Sequence, residues 1–516
     1  MPELSKSTSV REIVQQYPAA RRVFDRHGLK GCGGSEGPAE SLEFFARVHE
    51  VDADALLRDL EAEIAAPAEP PYAYQETLAD YIYRRFFKAG IAIVLTVGGL
   101  WGAANLTEIA LRQNFLQLNL LPAIHAHAHA MIFGWVGLFV MGFAYQSFPR
   151  FKYVTLWRPR LANLTLYLML AGIVMRMAAE LLQPRTPGLA LGAAAAFAEL
   201  VAISLFIVII LKTAAQSIEP ANPYEKFIFG ALFWFFVQAL ASDFFFFAKA
   251  TAASQSQLIQ RIALIDGPLR DIQLFGFAAL IIAGVSQRFI PAVYGLGRPA
   301  RDRQRLIFWL MNGSLVLGVV TYVLVVRTFN PLFALGLEAA YLLMLAWALL
   351  LVRQLGIFGT PSERDRSWKF IRAAYTWLVI AMAMLPLFPI YGLLTHQVFA
   401  HSFMGAHRHA FTVGFISLMI MGVASRVAPI LAGVDSGELS SLRGPFILIN
   451  VGCAGRVVLQ ILSDFVPAVA YPLIGFTGFL EVAALAWWGI ELWHTMNLAA
   501  THRAQVLQPH LPVVTS

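Results

Sequence analysis

Long apolar runs separated by short polar segments fill most of the chain from residue 89 to residue 492. Each run is long enough to cross a bilayer as a helix, which takes about 20 residues. The pattern therefore predicts twelve membrane helices, which we number spans one to twelve. The predicted ranges are 89–109, 126–148, 161–182, 188–211, 227–250, 271–292, 305–327, 331–353, 371–394, 408–431, 445–463 and 468–492.

Composition agrees with this pattern. Charged residues make up 14% of the chain and hydrophobic residues 58%, whereas soluble proteins carry about 25% charged residues. The sequence thus predicts an all-α, polytopic protein with membrane lipid as its surroundings. The net charge of +7 requires no nucleic-acid partner, because basic loops on the cytoplasmic side account for it. Two cysteines, Cys32 and Cys453, lie in different regions and predict no disulfide framework.

Basic residues are concentrated in alternate loops, which indicates orientation. They cluster before spans one and nine and after spans two and six. With twelve spans these clusters share one side, and Lys and Arg favour the cytoplasmic side. We therefore expect both termini in the cytoplasm of a bacterium, with the protein in the inner membrane.

The polar first part of the chain predicts a separate helical module at residues 1–64. Ser9 and Glu12 have the spacing of a capping box, and Gly28 can end a second helix. Residues 41–64 predict two more amphipathic helices. A Pro-rich linker at 65–80, the membrane domain at 81–500 and a tail at 501–516 complete the expected organisation.

An internal repeat divides the membrane domain into three units of four helices. Segments that start at residues 127, 269 and 407 share one frame: a glycine, a second glycine eight residues later, and a proline seven residues after that. The frames fall on spans two, six and ten. Small residues on membrane helices permit close packing, which is the plain structural explanation of the glycines. The residues are Gly134, Gly142 and Pro149; Gly276, Gly284 and Pro291; and Gly414, Gly422 and Pro429.

Units one and three share polar residues that unit two lacks. His127 and His129 align with His407 and His409, where unit two has Leu269 and Asp271. An arginine lies 27 residues after the motif proline in the same two units, and unit two has glycine there. These arginines are Arg176 and Arg456.

Seven histidines collect near the starts of spans two and ten, and ionisable groups in a membrane suggest function. Imidazole binds iron and copper well, although an interfacial histidine can also simply bond to water or headgroups. Histidines two apart on a helix point in nearly opposite directions, so His407 and His409 can serve two different centres. The seven are His125, His127, His129, His396, His401, His407 and His409.

Arg176 and Arg456 each require an anionic partner. Glu180, one turn after Arg176, can form an ordinary ion pair. A heme propionate would serve either arginine equally well, because guanidinium and carboxylate pair in a two-pronged geometry.

HAMIFGWVG at 129–137 and HRHAFTVGF at 407–415 resemble the heme-ligand motifs of heme–copper oxidases and nitric oxide reductases. The usual ligands on spans six and seven are missing, however. HAHAHAMIFGW and HRHAFTVGFISLMIMGVASRVAP are closer to the NnrS family, heme- and copper-containing membrane proteins linked to nitric oxide tolerance.

This resemblance implies a b-type heme with His127 and His409 as axial ligands, although the repeat frame aligns His129 with His409. It implies a second heme or metal at His407, and copper ligands among the remaining histidines. Residues 7–34 resemble the N-terminal module of iron–sulfur-cluster repair proteins, which respond to nitrosative stress. Gly31 replaces the first cysteine of that module's pair, leaving Cys32 alone.

Three functions remain open at this point. The first is a heme protein that binds, scavenges or detoxifies nitric oxide. The second is an oxidoreductase that reduces nitric oxide or oxygen with electrons from quinol. The third is a transporter with a histidine-lined cavity; internal repeats occur in transporters too, and Pro386 and Pro389 could break span nine.

Overall fold

The computed structural model of the protein describes residues 4–29, 32–34, 36–66, 75–115, 117–397 and 399–506. These residues form helices and no strand, and twelve helices are long and apolar enough to span a membrane. The prediction of an all-α polytopic protein is confirmed. The spans are Leu78–Arg112, Leu121–Phe151, Pro159–Leu182, Thr186–Ala214, Glu225–Ala250, Gln255–Tyr294, Arg301–Thr328, Pro331–Leu355, Trp368–Thr395, His401–Ala432, Arg443–Leu462 and Pro467–Leu498.

Two spans start well before their predicted positions. Span one begins at Leu78 and span six at Gln255, because both continue as helix through polar turns that hydropathy does not register. Span nine contains a short 3₁₀ segment at Leu385–Leu387. This segment includes Pro386, so the predicted irregularity is present, and the helix resumes directly after it at Phe388.

The three motif helices share a feature that the sequence pattern did not reveal. Each contains an eight-residue π-helical segment, at Ala130–Gly137, Ile272–Ala279 and Ala410–Ser417. The segments occupy the same place in the repeat frame, directly after the histidine positions. π-Helical turns are rare and often mark functional sites.

The repeated glycines pack the helices of each unit together. At the second motif glycine of every unit, an added Cβ would lie 2.6–2.9 Å from a side-chain atom of that unit's first span. No larger residue fits without a shift, so the plain packing role holds in all three units. The pairs are Gly142 with Phe86, Gly284 with Phe227, and Gly422 with Ile371.

The N-terminal module, which we call the head, contains four helices: α1 Val10–Gln16, α2 Arg21–Arg26, α3 Leu42–Val48 and α4 Ala53–Ala65. The predicted capping box of Ser9 and Glu12 is present. Gly28 follows α2 with a φ of 95°, a conformation that glycine adopts freely. Most of the predicted linker, residues 67–74, lies outside the described residues.

The head packs against the ends of spans two, six and ten, and we call this end of the bundle the head face. Buried Arg288 of span six lies 2.7 Å from Glu50, and buried Arg426 of span ten lies 3.3 Å from Glu40. On span two, Arg150 Nε lies 3.1 Å from the Cys32 thiol. Each repeat unit therefore holds the head with one arginine, and the head is a docked part of the structure. The opposite end of the bundle is the histidine face.

The docked head favours a neutral His49. Its ring stacks on Phe45 at 4.1 Å, and its backbone carbonyl accepts a hydrogen bond from Tyr153 of the membrane domain. Burial lowers the pKa of His49 to about 3, and the positive charges of Arg288 and Arg150 act in the same direction. The stabilisation of the docked head by neutral His49 is therefore complete above the ordinary pKa of histidine, about 6.5. Below that pH it should fall, by up to about 1.4 kcal/mol per pH unit.

Hydrogen exchange of helix α3 at pH 7.5 and pH 5 tests this prediction. We expect faster exchange at pH 5 in the native protein and a smaller difference in His49→Gln, which cannot take up the proton. Equal protection at both pH values in the native protein would contradict it.

Candidate functional site

His127 is held by a distortion in the neighbouring helix. Span one contains a π-helical turn at Val94–Gly98, and such a turn frees backbone carbonyls from the regular ladder. The Gly98 carbonyl accepts a hydrogen bond from Nδ1 of His127 at 2.9 Å. An added Cβ at Gly102, one turn later, would lie 2.4 Å from the His127 ring. Glycine is therefore required where the imidazole rests.

His409 on span ten has the same tautomer. Its Nδ1 donates to the Gly405 carbonyl at 3.0 Å. In both residues the bond to a carbonyl places the proton on Nδ1 and leaves the lone pair on Nε2. This is the arrangement in which imidazole binds a metal. The two rings also lie within electrostatic reach of each other.

His407 lies two residues before His409, a spacing that places two side chains on nearly opposite sides of a helix. Its side chain is 1% exposed, and neither ring nitrogen has a hydrogen-bond partner among the described residues. Its ring centroid lies 6.3 Å from that of Phe275 in the π segment of span six. Buried polar atoms are rarely left unpaired, so this imidazole has an unused capacity to bind.

His125 and His129 are already bonded to charged side chains. Nε2 of His129 lies 2.8 Å from a carboxylate oxygen of Glu199, with both side chains buried. Nδ1 of His125 accepts a hydrogen bond from Lys249 at 2.8 Å, and the same ammonium group reaches Glu180 at 2.8 Å. Both imidazoles therefore belong to buried polar networks.

His396 and His401 lie outside this group. His396 ends span nine in a left-handed conformation, and His401 is exposed at the start of span ten. Across the described ranges, no group of three histidine, cysteine, aspartate or glutamate residues could hold a metal ion. The structure thus does not assemble the predicted copper ligands into one cluster.

The two repeat-related arginines differ in their surroundings. Arg176 bonds to Glu180 at 3.3 Å, to Asp243 at 2.9 Å and to the Ser242 carbonyl at 2.8 Å. It is therefore in a protein ion-pair network, the simpler of the two predicted roles.

Arg456 is buried, yet its Nε and Nη1 have no hydrogen-bond partner in the described part of the chain. Glu481 of span twelve is the acidic residue that acts electrostatically on Arg456. Arg456 also lies within electrostatic reach of both His127 and His409. Its free N–H groups are thus available to an anionic ligand at the histidine site.

The family described as NnrS protein matches residues 77–498, which include all twelve spans. The chain belongs to the NnrS family. This membership relates the protein to nitric oxide and agrees with its multi-pass membrane structure. No curated protein sequence matches the chain.

The NnrS region contains further buried charges that were not predicted from the sequence. Asp266 of span six bonds to Arg270 at 3.1 Å and to Arg408 of span ten at 3.1 Å. Glu199 and Asp243, the partners of His129 and Arg176, lie on spans four and five. Their presence inside apolar spans could have identified them from the sequence, because membrane helices rarely carry ionisable residues without a role.

A polar cavity of about 390 Å³ opens beside this network at the histidine face of the NnrS region. His125, Lys249 and Gln183 line it. From Lys249 the charged contacts continue through Glu180 and Arg176 to Asp243. These contacts connect the polar cavity, which is large enough for water molecules, with the interior of unit one.

Proposed function

We propose that this protein is a heme-binding membrane protein of the NnrS family that handles nitric oxide. The observation that carries the proposal is the matched pair His127 and His409. Both imidazoles donate through Nδ1 to a backbone carbonyl, and no hydrogen bond to either Nε2 atom occurs within the described part of the chain. One comes from unit one and the other from unit three, so each can approach a porphyrin from its own side. Bis-imidazole ligation is a common way to hold a heme.

The surrounding residues fit a heme on an independent criterion. A heme brings two carboxylates, and buried Arg456 has two nitrogen atoms without a partner among the described residues. Charge-assisted bonds from arginine to carboxylate are strong and directional. With only two cysteines in the chain, a thioether-linked heme would lack its usual cysteine pair, which favours a b-type heme.

His407 is the second candidate ligand, for a separate heme or metal. Its ring lies 6.3 Å from that of Phe275 on span six, and its two ring nitrogens have no partner among the described residues. When bound there, iron would supply a centre to which nitric oxide can attach. The chain's own contribution would be to orient the ligand and exclude water, since His407 is almost completely buried.

Copper is less well supported than heme. His125 and His129 are engaged with Lys249 and Glu199, and the described residues hold no cluster of three ligands. We therefore assign no role to copper.

Among the alternatives, a nitric oxide reductase that takes electrons from a quinol has one supporting observation. Reduction of nitric oxide consumes protons, and the charged contacts from the polar cavity through Lys249, Glu180 and Arg176 to Asp243 offer a buried ionisable route. Chains of this kind mark proton paths in membrane proteins. The structure offers little support for the transporter alternative, because span nine continues as a helix beyond its short 3₁₀ segment.

We further propose that the head face is cytoplasmic and that the membrane is a bacterial inner membrane. The basic residues near the ends of spans two, six and ten, Arg150, Arg288 and Arg426 among them, favour this orientation.

Visible spectra of the detergent-purified protein test the function and the role of His407. We expect a Soret band that sharpens on reduction and shifts when nitric oxide is added. His407→Ala should lose one spectral component and most of the nitric oxide response, while the low-spin signal remains. The control is His401→Ala, at an exposed site on span ten, the same span as His407; this variant should keep the native spectrum and the native nitric oxide response. A protein without any heme band would refute the proposal.

A further inference from the structure

An apolar cavity of about 90 Å³ lies where the three motif helices meet. Its lining comes mainly from spans two, six and ten, on the head side of their π segments. Equivalent residues of the three units line it together, in four successive layers. Phe143, Val285 and Val423 form one layer, and Ala144, Ser286 and Ala424 form the next. The cavity thus lies on the axis that relates the three units.

The size and chemistry of this axial cavity define what it can hold. Ser286 contributes the single polar side chain among the described lining residues. A buried water needs about 2–4 polar partners, whereas apolar cavities stay dry and take up apolar atoms such as xenon. Sites for larger organic ligands usually occupy about 300–1,000 Å³. The space therefore suits one or a few small apolar molecules.

The position of the axial cavity connects it with the histidine site. Its first layer includes Phe139 and Met419, each ten residues after a motif histidine, or about 15 Å along the helix. At the other end, the Phe151 ring lines the cavity and carries the Arg288 guanidinium 4.6 Å from its centre. Arg288 in turn holds Glu50 of the head. The head therefore covers the end of the axis remote from the histidines.

We propose that the axial cavity binds a small apolar gas and supplies it to the histidine site. Under the proposed function, on which this step rests, the gas is nitric oxide. Nitric oxide is uncharged and dissolves in apolar surroundings, so it can gather in a lipid-like space. A polar anion or a quinol headgroup would find no hydrogen-bonding partner there except Ser286.

Xenon is the probe for the site. Crystals of the full-length protein under xenon pressure should show a xenon peak on the axis between spans two, six and ten. The double variant V285F/V423F should remove the peak, because phenylalanine already occupies the equivalent place in unit one as Phe143. The matched control is V316F/V451F, whose sites are 50% and 54% exposed on the bundle surface. It should keep the peak.

A kinetic measurement tests delivery to the histidines. V285F/V423F should slow nitric oxide association with the reduced protein several-fold, with an unchanged heme spectrum, and the control should associate at the native rate. A native protein without the xenon peak, an acyl chain in its place, or an unchanged association rate in the filled variant would each overturn the proposal. If the protein carries no heme, the xenon result still decides whether the gas site exists, so the two proposals can fail separately.

Discussion

Replacing His409 by alanine should abolish the low-spin heme signal. No donor among the described residues bonds to Nε2 of His409, and the bond from Nδ1 to the Gly405 carbonyl fixes its tautomer. Alanine removes this ligand entirely and leaves His127 to bind alone. The measurement is the reduced-minus-oxidised spectrum together with electron paramagnetic resonance of the purified variant.

Two comparisons make the His409 result specific. Imidazole added to the medium should restore part of the low-spin signal in His409→Ala, because it can fill the space of the lost ring. His401→Ala, at an exposed site on the same span, should keep the native spectrum. A full low-spin signal in His409→Ala would show that this residue is not an axial ligand.

Glu199→Leu should lower the stability of the protein strongly. Glu199 and His129 are 1% and 4% exposed and lie 2.8 Å apart. Removing one member of a buried pair leaves the other unsatisfied, at a cost of about 3–5 kcal/mol. Thermal unfolding in detergent measures the loss of stability. The control is Val451→Phe on the exposed surface of the bundle, which should unfold at the native temperature.

The double variant E199L/H129F should recover most of that stability. Phenylalanine can keep the stacking that His129 makes with Phe133, whose ring centre lies 4.2 Å away. It should also retain the heme spectrum, since His127 carries the ligand role in our proposal. Loss of heme in this variant would shift the axial assignment to His129.

The sequence predicted those features that depend on local pattern. Hydropathy located every span, because a membrane helix requires about 20 apolar residues. Helical spacing predicts that His407 and His409 face opposite directions; in the structure the His407 ring lies near Phe275 of span six, and His409 bonds back to the Gly405 carbonyl. The capping box at Ser9 and Glu12 was equally recognisable.

Features that depend on distant residues were not predictable. Arg176 meets Asp243, 67 residues away, and no local pattern distinguishes this pair from a propionate partner. The π segments after the histidines have ordinary apolar sequences. The close contact between Gly102 and His127 likewise required knowledge of how spans one and two pack.

The docked head has a consequence for how the protein is made. The head leaves the ribosome before the membrane spans that follow it, yet Arg11 donates to the carbonyl of Gly433, 422 residues later in the chain, and Glu40 pairs with Arg426. These contacts can form only after span ten has entered the membrane. Docking of the head against the head face is thus among the last steps in the biogenesis of the protein.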